Sequence, residues 1–501
     1  MRAVMEAPDQ NEPRRAWRAA FYAVISLYAA AFLLYAETSA FTWDESYHLL
    51  AAQLILRGRR PYLDFCFPQS PLNAYWNAAW MAVFGQTWRV AHTAAALLTI
   101  AAVVIAADFI ARRFPVSAWR LPGAVVVVLA AGLNVLVFLY APLAQPYGMC
   151  LIGMVLAFRF AIEAVGRARP WLAAATGFCA ALAAASSLLS AAAGVVFFLW
   201  LLVYNRAGSR LHKAIAYALG AVILFLPVLR LFVLGPRQTW FNVVQYHATY
   251  RRLYWPDATR HDLEVLTSWI DSGPALLLGL LAVGGLVYVA RRSNWTRSVK
   301  AEFYLAAWLA AALSAEVGRA HPTFPQYFLL IAPFLAILAA AGVYAIGSRV
   351  FAPDRPRWAV AVVCVLFALA LARTVYDHRE DDTWRIYERV AARIDQVTPP
   401  NAPIYANEPI FFLTRRTPPP GYELYYTHKL NLPPAERSLL HILTRDEVKQ
   451  QVQSGAFVTA YSCDDDEVED LGLNRLYSRS EDIGDCTVFW DRRKPGPSLG
   501  K

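Results

Sequence analysis

Apolar stretches about as long as a bilayer-crossing helix recur along this chain from residue 17 to residue 376, and every second segment between them is basic. A helix needs about 20 mostly apolar residues to cross the hydrocarbon core. The stretches lie at 17–40, 88–111, 122–140, 146–164, 171–186, 187–204, 213–234, 273–290, 302–317, 324–346 and 357–376. They predict a polytopic α-helical membrane protein with about 11 transmembrane helices. A hydrophobic content of 57% with only 17% charged residues excludes an ordinary soluble protein of several domains. The run from Trp171 to Tyr204 is too long for one span and divides near Ser186 and Ser187. A single span there would invert the order of basic loops downstream.

Those basic loops orient the chain. Arg14, Arg15 and Arg18 stand at the start of the first stretch; Arg112, Arg113 and Arg120, then Arg206, Arg210 and Lys213, then Arg291, Arg292, Arg297 and Lys300 fall on alternate loops or at their ends. Basic loops stay on the cytoplasmic side. The N-terminus is therefore expected inside, and the 41–87 loop, the 235–272 loop, the 318–323 turn and everything after residue 376 outside. The net charge of +10 follows from this topology, and no nucleic-acid partner is expected. The apolar run from Ala19 to Tyr35 has no small-residue cleavage site before Thr42, so it is expected to remain as an anchor.

Past Tyr376 the texture changes. Trp384, Ile386, Val390 and Ile394 carry helical spacing, strands are expected near Ile404, Phe457–Tyr461 and Thr487–Trp490, and a helix near Asp446–Gln453. Residues 377–501 thus read as a small soluble α/β domain on the periplasmic or extracellular side, beside a membrane domain over 1–376. The acidic run Asp464 to Glu467 reads as a solvated loop. Cys66, Cys150, Cys179 and Cys364 lack metal-ligand spacing, whereas Cys463 and Cys486 share the soluble region and could form a disulfide on an oxidising side.

Chemistry concentrates in the outer segments. Thr42-Trp43-Asp44-Glu45 fits a capping box that opens a helix running to about Arg57 and stopped by Gly58; a second short helix runs from Pro71 to about Phe84. Both are expected to lie along the membrane surface. Capping would occupy Glu45 more than Asp44. Asp44 is then either a solvated carboxylate complementing the helix dipole, worth a few tenths to about 1 kcal/mol, or a base facing a cavity, able to take the proton of an incoming hydroxyl. Asp64 is either a turn former or a second carboxylate holding a sugar hydroxyl or a metal. In the 235–272 loop, Arg237, Tyr246, His247, Arg251 and Arg252 stand among aromatics. Guanidinium pairs with phosphate and aromatic faces cover sugar faces, unless the set is an interfacial belt. Arg319 and His321 in the last outer turn could reach a lipid phosphate, or Arg319 could pair with Glu316.

The Asp44-Glu45 pair after the first membrane helix, then Gly58, Tyr62-Leu63-Asp64, Pro71-Leu72, Gly85, a membrane helix from about Arg89 and the late Pro325-Gln326-Tyr327…Pro333 segment resemble the membrane-embedded GT-C glycosyltransferases, above all the protein mannosyltransferase and aminoarabinose transferase group. The resemblance implies an integral protein of a bacterial-type inner membrane and a polyprenyl-phosphate-linked sugar donor. It also implies a lipid, glycan or protein acceptor at the outer face, and inversion at the anomeric carbon. It makes Asp44 the base and Glu45 and Asp64 supporting acids. Arg251, Arg252, Arg319 and His321 would serve the donor phosphate, and Tyr62, Gln69, Asn73, Gln145, Tyr246, His247 and Tyr327 the sugar or acceptor. The chain departs from the group at Gln145, where many relatives carry an acid; an amide is neither a base nor a strong metal ligand, so no cofactor is assigned and a divalent cation has little support. It departs again at Gln326-Tyr327, where His-Tyr is common, which leaves the phosphate to the cations named above. A transporter or lipid flippase would place ionisable residues in mid-membrane, whereas Asp108 and Arg159 stand near helix ends and the acids crowd an outer loop. A membrane-anchored assembly protein would work through the C-terminal domain and leave Asp44 expendable.

Overall fold

The computed structural model describes residues 12–38, 40, 44–251, 255, 257–351, 355–379 and 383–493. The chain forms two compact units. The first comprises Met1–Thr38, His92–Leu226 and Asp257–Glu380; the second comprises Ser39–Ala91, Pro227–Pro256 and Asp381–Lys501.

The first unit is helical. Among the described residues seven helices are long and apolar enough to cross a membrane: Arg15–Thr38, Trp88–Arg113, Tyr147–Gly166, Arg210–Leu234, Gly273–Arg291, Pro325–Val350 and Pro356–Asp377. Each matches one of the expected stretches, and the protein is an integral membrane protein. Pro325–Val350 is the most enclosed, with 89% of its apolar window buried, against 17% for Arg15–Thr38 and for Arg210–Leu234. Apolar helices that bury so little of themselves in protein need lipid around them. The expected division of 171–204 is present as helices Pro170–Ser186 and Ala191–Val203, with Ser187 extended between them. The expected 302–317 stretch lies inside the helix Arg297–Gly318. The 122–140 stretch is broken. A π-helical turn at Val128–Gly132 ends its first half, and Asn134 caps the second, Val135–Tyr140, by accepting from the amides of Leu136 and Val137. Asp108 pairs with Arg112 at 2.6 Å and Arg159 at 3.3 Å, so these charges are spent on one another.

Glycine lets two of these helices touch. A Cβ on Gly342 would lie 2.1 Å from the Leu281 carbonyl oxygen, and one on Gly285 2.0 Å from that of Leu338. Backbones approach this closely in membranes only over small residues.

The second unit gathers three distant parts of the chain around a sheet. Strands β1 (Ile404–Tyr405), β2 (Thr459–Ser462), β3 (Tyr477–Ile483) and β4 (Cys486–Arg492) lie in the order β1-β2-β4-β3, with β1 and β2 parallel and the other pairs antiparallel. β3 is unanticipated from the sequence because its middle is charged and exposed, with no apolar alternation to betray it. Cys463 and Cys486 are bonded, S–S 2.09 Å, at the β2 and β4 ends. The acidic run is not a loop: Asp464 caps the helix Asp465–Leu471, and Glu467 accepts hydrogen bonds from Tyr405 and Ser462. Helices Glu45–Leu56 and Leu72–Phe84 also belong to this unit, as does a helix that starts at Pro236–Trp240 and continues as a π-helix over Phe241–Tyr250. The 235–272 segment expected as a loop is thus largely helical, since Ala258–Asp271 is a helix too. The apolar residues of Ala258–Asp271 are spaced for one helical face, with too few in any run to register as a span.

Candidate active site

Helix Glu45–Leu56 sets the site. Its side chains bury Glu45, His48, Leu49, Ala52 and Gln53, and Gly58, at φ +81°, ends the turn beyond it as only glycine does readily. Gln53 donates to the Phe412 carbonyl at 3.2 Å, which fixes the helix to the helix Glu408–Leu413. Asp44 stands one residue before the helix with helical dihedrals (φ −71°, ψ −14°), and its carboxylate makes no capping hydrogen bond. Thr42 lies outside the described residues. Glu45 is fully buried and accepts the indole N–H of Trp384 at 2.8 Å, while Trp384 stacks on Trp88 at 5.7 Å. A distant tryptophan therefore helps to hold Glu45.

The surroundings of Asp44 come from the other two parts of the unit. Burial lifts its carboxyl above the usual range and the Arg251 guanidinium draws it back. The Asp44 charge in turn helps push Glu408, buried beneath the surface, to about 7, and Tyr426 to about 12, burial being the larger cause for both. Tyr246, raised mainly by burial, also feels Asp44 and Arg251. His247 gives its ring nitrogen Nε2 to the Pro68 carbonyl at 2.7 Å; burial, then Arg251, hold it down to about 4, so it is a neutral donor there. On the same π-helix, Asn242 accepts from the Phe67 amide at 2.8 Å and the Cys66 thiol at 3.3 Å. These bonds set the arginine-bearing helix against the loop that follows Asp44.

Other sequence-selected residues in this unit have structural partners. Asp64 closes a turn, accepting from the Arg60 amide at 2.7 Å and its guanidinium at 3.0 Å, and the Arg60 hydrogen bonds keep its carboxyl below the usual range. Tyr62, at φ +70°, is buried in that turn and donates to the Gln69 carbonyl at 2.5 Å. Asn73 is buried against His48, 3.4 Å away, and burial drives that imidazole down to about 3. Gln145, Arg319, His321 and Tyr327 belong to the helical unit. His321 bonds Asp262 at 2.5 Å, a carboxylate that also accepts from the Thr323 amide; Arg319 is exposed at a helix end, and Gln145 and Tyr327 are buried. Arg252 lies outside the described residues. Glu408, Tyr426 and Trp384 escaped sequence reasoning. Glu408-Pro409 reads as a helix start and nothing more, and no spacing links any of them to residue 44. Among the described residues no group of three His, Cys, Asp or Glu side chains could hold a metal ion.

No family profile and no curated protein matches this sequence. Solved structures do. ArnT from Cupriavidus metallidurans in the apo state superposes with a TM-score of 0.69 at 16% identity, over 95% of this chain and 98% of that one. The chain has the ArnT fold. ArnT bound to undecaprenyl phosphate gives a TM-score of 0.67 at 16% identity, with the same coverage. The archaeal oligosaccharyltransferase AglB from Archaeoglobus fulgidus, in complex with an inhibitory peptide and a dolichol-phosphate, gives 0.50 at 12% identity over 91% of this chain and 70% of that one. The likeness to ArnT covers 95% of this chain, so the expected architecture of membrane helices followed by a C-terminal domain is that of the ArnT fold.

Proposed function

We propose that this protein is a glycosyltransferase that moves a sugar from a polyprenyl-phosphate carrier to an acceptor at the outer face of the inner membrane. The observation that carries the reading is Asp44: a carboxylate free of capping duty, lifted by burial and opposed by Arg251, in an ArnT fold. ArnT and AglB structures hold polyprenyl phosphates, which supports a lipid-linked donor here. In this reading the membrane domain, 1–376, holds the lipid, the N-terminus is cytoplasmic, and 377–501 lies outside with the loop that bears Asp44.

The reaction is a single displacement. Asp44 orients the acceptor hydroxyl and takes its proton as the oxygen attacks the anomeric carbon from the face opposite the phosphate; that bond breaks with inversion and its electron pair leaves with the phosphate. A departing phosphate is already a stable anion and needs no acid. It needs cations fixed in place beforehand, and such preorganised charge is worth several kcal/mol. Arg251 is the first of these, with Arg252, Arg319 and His321 as further candidates on outer segments. Tyr246 and His247 precede Arg251, which ends the same π-helix, and would meet the sugar; Gln69 on the facing loop and Asn73 in the first turn of the helix Leu72–Phe84 would meet the acceptor, with Glu45, Asp64 and Tyr62 holding the loop's shape.

Asp44→Asn is expected to lower transfer from a radiolabelled lipid-linked donor by about 10²–10⁴-fold, the usual contribution of a general base, with unchanged protein level and melting midpoint. Transfer at the wild-type rate would sink the mechanism.

A further inference from the structure

Two and three residues beyond Asp44, Ser46 and Tyr47 enter the wall of a cavity of about 120 Å³ whose other walls come from the C-terminal segment. A single water needs about 10–15 Å³, so the space is made for something larger. Six tyrosines line it, Tyr405, Tyr425 and Tyr426 among them, together with Glu408, Asp464 and Glu467, and none of its lining residues is Lys, Arg or His. Its polar groups are held in place. Glu467 is fixed by Tyr405 at 2.7 Å and Ser462 at 2.5 Å, and Glu408 accepts the Tyr425 amide at 2.7 Å. Asn407, also in the wall, keeps a buried side-chain oxygen with no hydrogen-bond partner among the described residues. Such an atom is costly unless a donor arrives.

Charge separates this cavity from the donor. A donor sugar brings a phosphate, which the Asp464 and Glu467 carboxylates would repel and which the Arg251 side of Asp44 would attract. An acceptor must instead present a hydroxyl to Asp44 from a place free of cations. Tyrosine faces and edges cover the apolar side of a ring at low entropic cost and attract an ammonium group, while carboxylate and amide oxygens take its donors. We propose that the cavity is the acceptor subsite and takes a hydroxyl-rich sugar ring that is uncharged or bears an amine. The assignment rests on the glycosyltransferase reading above.

Saturation-transfer NMR on the full-length protein in nanodiscs tests it with three probes: methyl β-glucosaminide, methyl β-glucoside and glucose 1-phosphate. The first two are expected to receive saturation, the glucosaminide binding about tenfold more tightly through charge-assisted hydrogen bonds. Glucose 1-phosphate, which carries the donor's linkage, is expected not to displace them. Asn407→Ala and Tyr426→Ala should each weaken the glucosaminide signal at an unchanged melting midpoint, and Glu467→Gln should erase the preference for the amine. Displacement by glucose 1-phosphate would make this the donor's site and overturn the proposal, as would wild-type signals in both Asn407→Ala and Tyr426→Ala. Because binding is read without turnover, Asp44→Asn should keep the signal while losing transfer. An absent signal therefore counts against the cavity, and undiminished transfer in Asp44→Asn counts against the reaction.

Discussion

A carboxylate at a helix start ordinarily serves the backbone amides behind it, and Asp44 does not. Its ionisation is set by burial against the Arg251 charge. Arg251→Ala removes the partner that favours the charged form, so the acidic limb of the transfer rate should move to higher pH; a limb at the wild-type position would show that Arg251 does not tune Asp44. Glu408 offers a second titration. Its folded carboxyl sits near 7, above its ordinary value of 4.5, so the protonated form is the one the fold favours. The stability this gives is full below about pH 4.5 and is lost as pH rises to about 7. Glu408→Gln should therefore melt like wild type near pH 4.5 and be the more stable variant at pH 8, by up to about 3 kcal/mol. Thermal unfolding in detergent across that range measures it, and a constant difference at all pH values would refute it. Glu45 is the residue whose legibility was partial. The capping pattern marks it as occupied, yet one residue that bonds it, Trp384, is 339 positions away.

Elements differ in how openly the sequence announces them. The long spans are legible because hydrocarbon thickness imposes a length on every one of them, and the division at Ser186 is legible because charge alternates across it. The break at Val128–Gly132 and Asn134 is invisible to hydropathy, which registers apolar length and is blind to a lost backbone bond. The helix at Pro236–Tyr250 is hidden differently. Its residues are chosen to hold Cys66, Phe67 and Pro68 through Asn242 and His247, so its pattern follows a partner in place of a helical period. Among the membrane helices the contact at Gly342 is the most demanding. Gly342→Leu would drive side-chain atoms into the Leu281 carbonyl, and overpacking of this kind costs about 1–3 kcal/mol or more. The expected result is a lower melting midpoint in detergent, with the same change at Gly279, where a Cβ meets nothing within 4 Å, much milder.

For the molecule as a whole, charge asymmetry gives an orientation that can be read chemically. Ser480→Cys, on exposed β3, should react with a membrane-impermeant maleimide on intact spheroplasts, and Ser293→Cys, in a basic loop, only after lysis. The opposite labelling would reverse the proposed topology. By itself the sequence determined the membrane fold, most of its spans and one conspicuous acid beside the first of them. Those features are written locally, in apolar length, loop charge and residue neighbours. Only the tertiary structure decided which residues stand around that acid, bringing Arg251, Glu408 and Tyr426 to Asp44 and leaving Asp64 to Arg60. Their meeting depends on packing between segments far apart in the chain, and no local period records a contact that both partners make only once the chain has folded.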